Sequence, residues 1–127
     1  MIEASDMPSN SDLRQQAEDL YHQGLDSVAN GDAAIAAARF RQALDLDPSL
    51  LDALHGLVRA LKDAGDYDQA VQAAVELIDR APDDPLAHTS LSILYQHRGM
   101  VAEAEAEALK ARLLGWKREL REAQPPE

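Results

Sequence analysis

The sequence predicts an all-α fold of three antiparallel helical hairpins, and three observations predict it. Gly31, Gly65 and Gly99 stand 34 residues apart, Pro48 and Pro82 keep the same step, and so do Ala36, Ala70 and Ala104. Between these marks apolar residues recur at three- and four-residue steps, as in Leu54, Leu57, Val58 and Leu61 or in Leu91, Leu94 and Tyr95, the spacing of a helix with one buried face. No useful stretch alternates with period two, so strands are not expected. Several independent markers locked to one period are the signature of a repeat array.

Each marker has a physical role. A glycine past the end of a helix takes positive φ at little cost. Asp32 and Asp66 follow the first two glycines, where a carboxylate oxygen can cap the next helix. Pro48 and Pro82 end helices because they cannot extend the hydrogen-bond ladder, and they push Asp47 and Ala81 out of helical geometry. The expected helices are 12–29, 33–46, 50–63, 67–80, 84–97 and 101–122. Ile35, Phe40, Ala43 and Leu44 form the expected apolar stripe of the second helix; Ala70, Ala74, Leu77 and Ile78 form that of the fourth. Residues 1–10 read as a flexible leader, 11–123 as one repeat domain and 124–127, with Pro125, Pro126 and Glu127, as a disordered, frayed tail.

Composition bounds the function. The chain has 127 residues, 46% of them hydrophobic, and a formal charge of −11. An acidic surface repels phosphate backbones, so nucleic acid is an unsuitable partner. The charge is uneven: residues 1–108 hold 7 Lys+Arg against 20 Asp+Glu, while 109–127 hold 5 against 3. Complementing the helix dipole on a solvated face accounts for this tail. There is no cysteine, which removes disulfides and thiol chemistry. Met1 to Asn10 is no signal peptide and no apolar run approaches a membrane span, so cytoplasmic location without membrane insertion is expected.

These residues resemble the tetratricopeptide repeat family. With repeats begun at Ala17, Leu51 and Pro85, as 17–50, 51–84 and 85–118, the motif's first large position falls on Leu20, Leu54 and His88. Its seventh is Gln23, Leu57 and Leu91, its small eighth Gly24, Val58 and Ser92, and its eleventh Ser27, Leu61 and Tyr95. The alanine of the second helix is Ala36, Ala70 and Ala104. The large-then-small pair is Phe40 with Ala43, Ala74 with Leu77, and Ala108 with Ala111. The closing proline is Pro48, Pro82 and then Trp116. Gln23, His88 and the missing third proline depart from the pattern. The loss of that proline predicts a last helix that runs past Leu114 as a cap. Its face of Leu109, Leu113, Trp116 and Leu120 is expected to dock, covering at least half of Trp116. A buried Trp116 goes with a cap, and an exposed one with association.

The resemblance implies a right-handed α-solenoid, a superhelix whose concave face is lined by first helices, and a protein that binds another protein and does no catalysis. The lining then includes Tyr21, Leu25 and Val28, next His55, Arg59 and Lys62, and last Thr89, Ile93 and Gln96. Leu25, Val28 and Ile93 supply apolar anchors and His55, Arg59 and Lys62 a cationic centre, which suits a peptide or helical segment carrying acidic groups. The family's two-carboxylate clamp is absent, since its positions hold Tyr21, Leu25, Gly56, Leu86 and Ser90. His22, His55, His88 and His97 make no metal-ligand spacing, and no phosphate loop or nucleophile motif occurs. No metal or other cofactor is therefore expected. The alternative to an adaptor is a self-associating homo-oligomer that pairs through the stack ends or the C-terminal helix.

Overall fold

The computed structural model describes residues 9–124. Most of the expected leader (residues 1–8) and the Pro125–Pro126–Glu127 end lie outside them. Six helices follow in order: α1 (Asn10–Ala29), α2 (Ala33–Leu46), α3 (Leu51–Asp63), α4 (Tyr67–Arg80), α5 (Pro85–His97) and α6 (Val101–Ala123). Every boundary falls within two residues of its expected place, and no strand occurs among the described residues. The residues divide into two compact units between Ala64 and Gly65.

The punctuation acts as its chemistry requires. Gly31, Gly65 and Gly99 have φ of 80°, 81° and 73°, the left-handed region where a Cβ is strained. Asp47 and Ala81, each before a proline, leave helical geometry at φ −141° and −137°. The Asp66 carboxylate accepts from the Gln69 amide at 3.3 Å, and that of Asp84 accepts from Leu86 at 3.0 Å. Asp32 corrects the expectation, for its side chain makes no capping bond. α1 starts earlier than expected because Ser9 and Asp12 form a reciprocal capping box.

In the first unit α1 pairs with α2, and α3 packs on α2 while also touching α1. The core is mostly alanine (Ala17, Ala36, Ala37, Ala43, Ala53, Ala60) around Phe40, the chain's one phenylalanine, which is fully buried. Phe40 fits because two glycines flank it. A Cβ on Gly24 of α1 would lie 2.6 Å from its ring, and one on Gly56 of α3 2.7 Å. Ile35 corrects the expected α2 stripe, being exposed while Ala36 takes the inward position. Five residues separate Ile35 from Phe40, which puts them on different sides of a helix.

In the second unit α4 pairs with α5 and α5 with α6. Ala70, Ala73, Ala74, Leu77, Ala87, Leu91, Leu94, Ala104 and Ala111 are buried. The α4–α5 pair is closed at one end by Tyr67 stacked on His97, centroids 4.9 Å apart, and by an Arg98–Asp68 ion pair. α6 is the longest helix at 23 residues, as the missing proline predicts. Its apolar face corrects the expectation, for Trp116 is 55% exposed and Leu109, Leu113 and Leu120 are exposed with it. The contact of α6 with α5 uses the opposite stripe, where Ala104 and Ala111 are buried.

The Phe40 seat gives a signed prediction. Gly56→Ala removes a helix-interior glycine, worth about 1 kcal/mol of propensity, but drives a methyl into Phe40, and overpacking costs about 1–3 kcal/mol. Thermal unfolding should show a net loss for Gly56→Ala and a partial recovery when Phe40→Leu is added. A stabilised single variant would mean that the ring has room to move.

Candidate functional site

The nine expected binding residues lie on α1, α3 and α5, six in the first unit and three in the second. Tyr21 is half-buried, its ring 5.9 Å from that of Phe40 and 5.4 Å from that of His22. Burial, then the carboxylate of Asp52 on α3, raises the Tyr21 hydroxyl above its ordinary value. Tyr21 is thus partly a packing residue whose oxygen faces the start of α3. Leu25, one turn on, is 41% exposed, while Val28 is half-buried.

On α3, His55 and Lys62 are half-buried and Arg59 is exposed. The Arg59 guanidinium lies 3.8 Å from the Asp63 carboxylate one turn on, an exposed pair of the kind that contributes little to stability. It leaves the cation at the surface. The first unit therefore carries an apolar residue on α1 and a charged row on α3.

The three residues on α5 meet at one cleft. Thr89, Ile93 and Gln96 line a space of about 430 Å³ with Ser92 and with Ala108, Ala111 and Arg112 of α6. Thr89 turns its hydroxyl back to donate to the Pro85 carbonyl at 3.0 Å, so its methyl is what it offers a ligand. Ala108 stands where the first repeat has Phe40, and Ser92 where it has Gly24. A small residue at that position leaves the cleft open.

Sequence reasoning named His88 but missed its partners. His88 is 6% exposed. Its Nδ1 lies 2.7 Å from a Glu107 carboxylate oxygen and its Nε2 3.0 Å from the Pro82 carbonyl. Lys110 adds a 3.1 Å bond to the other Glu107 oxygen. The polar residue at an apolar motif position is therefore fully satisfied, and it ties α5 to α6. Ser92 does the same by donating to the Ala104 carbonyl at 2.7 Å. Among the described residues no cluster of three His, Asp or Glu has metal-site geometry, and no helix is long and apolar enough to cross a membrane.

A family model described as the tetratricopeptide repeat matches residues 27–94. Among curated proteins the chain is similar to the photosystem I assembly protein Ycf3 of Prochlorococcus marinus, 26% identical over 92 residues, which are 70% of this chain and 53% of that one. The chain thus spans about half the length of that relative. Among solved structures it is similar to MamA, with a TM-score of 0.79 at 24% identity over 85% of this chain and 63% of that one. It is similar to the type III secretion translocator chaperone SycD of Yersinia enterocolitica, with a TM-score of 0.75 at 23% identity over 79% and 76% of the two chains. The tetratricopeptide domain of Arabidopsis FLU gives 0.71 at 21% identity over 80% and 95%. At these identities the likenesses show the fold, a helical-repeat α-solenoid.

The His88–Glu107 tie predicts a pH dependence. Burial would raise the Glu107 carboxyl, but hydrogen bonds from His88 and Lys110 and the charges of these residues outweigh it and hold the group below its ordinary value. A carboxyl depressed by folding contributes stability at neutral pH that is lost as pH falls below about 4.5 and through the lowered value. Glu107→Gln should cost about 1–3 kcal/mol at pH 7. In urea unfolding, the gap between parent and variant should narrow as pH falls below about 4.5 and on through the lowered value, and a gap that stays unchanged down to the acid-unfolding range would refute the tie.

Proposed function

The chain belongs to the tetratricopeptide repeat family, and from that premise we propose that it is a protein-interaction module, an adaptor or scaffold that holds a peptide or helical segment of another protein against its first helices. The observation that carries the reading is Leu25. It occupies the motif's ninth position on α1, points away from the Phe40 core and is 41% exposed. Val28 extends its apolar surface, and Arg59 and Lys62 on α3 supply cations in the same unit. A ligand segment with an apolar anchor and a carboxylate matches this combination, since buried anchors give affinity and charges give orientation. Thr89, Ile93 and Gln96 provide a corresponding patch on α5. The family premise and the absence of any catalytic motif in the sequence favour binding over chemistry.

A second reading, association through the C-terminal helix, is favoured by the exposure of Trp116.

Leu25 gives the test. Affinity capture from the native host supplies a partner, and calorimetry then compares variants. Leu25→Asp should weaken binding at least tenfold, about 1.4 kcal/mol, because a carboxylate would be desolvated against the ligand's apolar anchor. Its folding should change by no more than about 0.5 kcal/mol, as for surface sites. Ile93→Asp is the harsher variant, because Ile93 is half-buried. Arg59→Glu should weaken an acidic ligand and flatten the salt dependence. Asp79→Lys, on exposed α4 surface, should bind like the parent. A folded Leu25→Asp protein with parental affinity would remove the first helices as the binding face.

A further inference from the structure

α6 carries a second stripe unrelated to its packing on α5. Ala102, Ala106, Leu109, Leu113, Trp116, Leu120 and Ala123 succeed one another at alternating steps of four and three residues. All seven are exposed, Leu120 most of the large ones at 67%. This is the spacing of the a and d positions of a coiled-coil seam, which presents a continuous apolar line to another helix. The repeat itself supplies the control. At the positions one and two repeats earlier, α4 and the turn after it have Asp68, Gln72, Val75, Asp79 and Pro82, and α2 and its turn have Ala34, Ala38, Arg41, Asp45 and Pro48. α6 departs from both earlier repeats at Leu113, where they have aspartate, and at Trp116, where they have proline; Leu109 follows an exposed Val75 and Leu120 an exposed Leu86.

The flanks of the seam say what covers it. Glu103 and Glu105 stand beside Ala102 and Ala106 at the start of the seam, while Lys110, Arg112 and Lys117 stand beside Leu109, Leu113 and Trp116, with Glu119 further along. The body before this stretch is strongly acidic. Along Leu109–Leu120 a second copy of the chain gains no net charge attraction. Parallel pairing sets Arg112 against Lys117 of the second copy. The antiparallel register that pairs Leu113 with Trp116 offsets two Arg112–Glu119 attractions by two Lys110–Lys117 repulsions. Flanking charges of this kind set partner choice in coiled coils. We propose that the exposed seam of α6 from Leu109 to Leu120 docks an acidic amphipathic helix of a partner protein, its apolar stripe laid along the leucines and Trp116 and its carboxylates set against Lys110, Arg112 and Lys117. Arg112 also lines the cleft beside Ile93, but Leu113, Trp116 and Leu120 do not, so Leu113→Asp and Leu120→Asp test this reading apart from the first-helix one.

Two synthetic peptides test it. Both have three heptads with leucine at a and d; one has glutamate at e and g and the other lysine. Trp116, as the chain's one tryptophan, reports docking by a blue shift of its emission, and calorimetry gives the affinity. The glutamate peptide should bind at least tenfold tighter than the lysine peptide, and added salt should narrow the gap. Leu113→Asp and Leu120→Asp, both at exposed positions, should each cost at least tenfold and keep the helical circular-dichroism signal. Ile35→Asp, at a similarly exposed leucine-sized residue of α2, should change nothing. The double variant Arg112→Glu, Lys117→Glu should transfer the preference to the lysine peptide. Equal binding of the two peptides, binding of neither, or insensitivity to Leu113→Asp and Leu120→Asp overturns the proposal. So does a parent protein that runs as a dimer in light scattering and becomes monomeric with Leu113→Asp, because the second copy is then the occupant.

Discussion

A helix whose inner face is mostly alanine gains little from burial unless a neighbouring backbone comes close enough to cover it. This constraint governs the chain. Ala17, Ala36, Ala43, Ala70, Ala74, Ala104 and Ala111 are all nearly or fully buried, and each methyl contributes little alone, since burial scales with apolar area. The fold therefore depends on close approach sustained over many turns. Within the units, short connections built on the positive-φ Gly31 and Gly99 join α1 to α2 and α5 to α6 without long spacers. In the first unit the remaining volume is filled by Leu54, Leu57, Val58 and Leu61 of α3 and by Phe40, and Gly24 and Gly56 lack the side chains that would meet the Phe40 ring. The second unit solves the same problem with polar ties. There Ala108 stands in place of the phenylalanine, and His88–Glu107 and Ser92–Ala104 bonds hold α5 to α6.

This difference explains which parts of the fold were legible in the sequence. Glycine and proline are backbone constraints, and their effects are local, so the turns and helix ends could be read residue by residue. The 3.6-residue period likewise assigns Leu54, Leu57, Val58 and Leu61 to one face whatever their neighbours. Periodicity does not say whether a face is covered. Leu109, Leu113, Trp116 and Leu120 do share a face, as read, yet that face is exposed, because Ala104 and Ala111 on the other side already take the contact with α5. Asp32 makes no cap bond although Asp66 in the same place does, and the residue pattern, which is the same at both, does not separate them. His88 was recognisable as a departure, but Glu107, its partner on α6, lies 19 residues on within a run of alternating glutamates that reads as solvated surface.

The candidate binding residues divide along the same line. Their places on first helices follow from motif position alone, and the exposure of Leu25 and Arg59 agrees with a surface role. Tyr21 does not stand free in the same way, since its ring also covers Phe40. A substitution there would disturb the core together with any ligand, whereas Leu25 separates the two effects. The cleft beside Ile93 was not legible, because it depends on the volume missing at Ala108 on a different helix.

The electrostatic asymmetry then acquires a physical use. A body with 20 carboxylate side chains against 7 cations in residues 1–108 repels an acidic helix at long range, so attraction to the proposed partner has to come from local cations. The cations beside the α6 seam reverse the sign locally, over a stretch shorter than the helix itself. The field of the body falls off over roughly 8 Å at physiological ionic strength, so an approaching acidic segment meets attraction only close to the C-terminal half of α6. Leucines and a tryptophan on a uniformly acidic helix would be an aggregation liability. Bordered by Lys110, Arg112 and Lys117, the same residues gain more from a partner of opposite charge than from a second copy, whose charges cancel along this stretch.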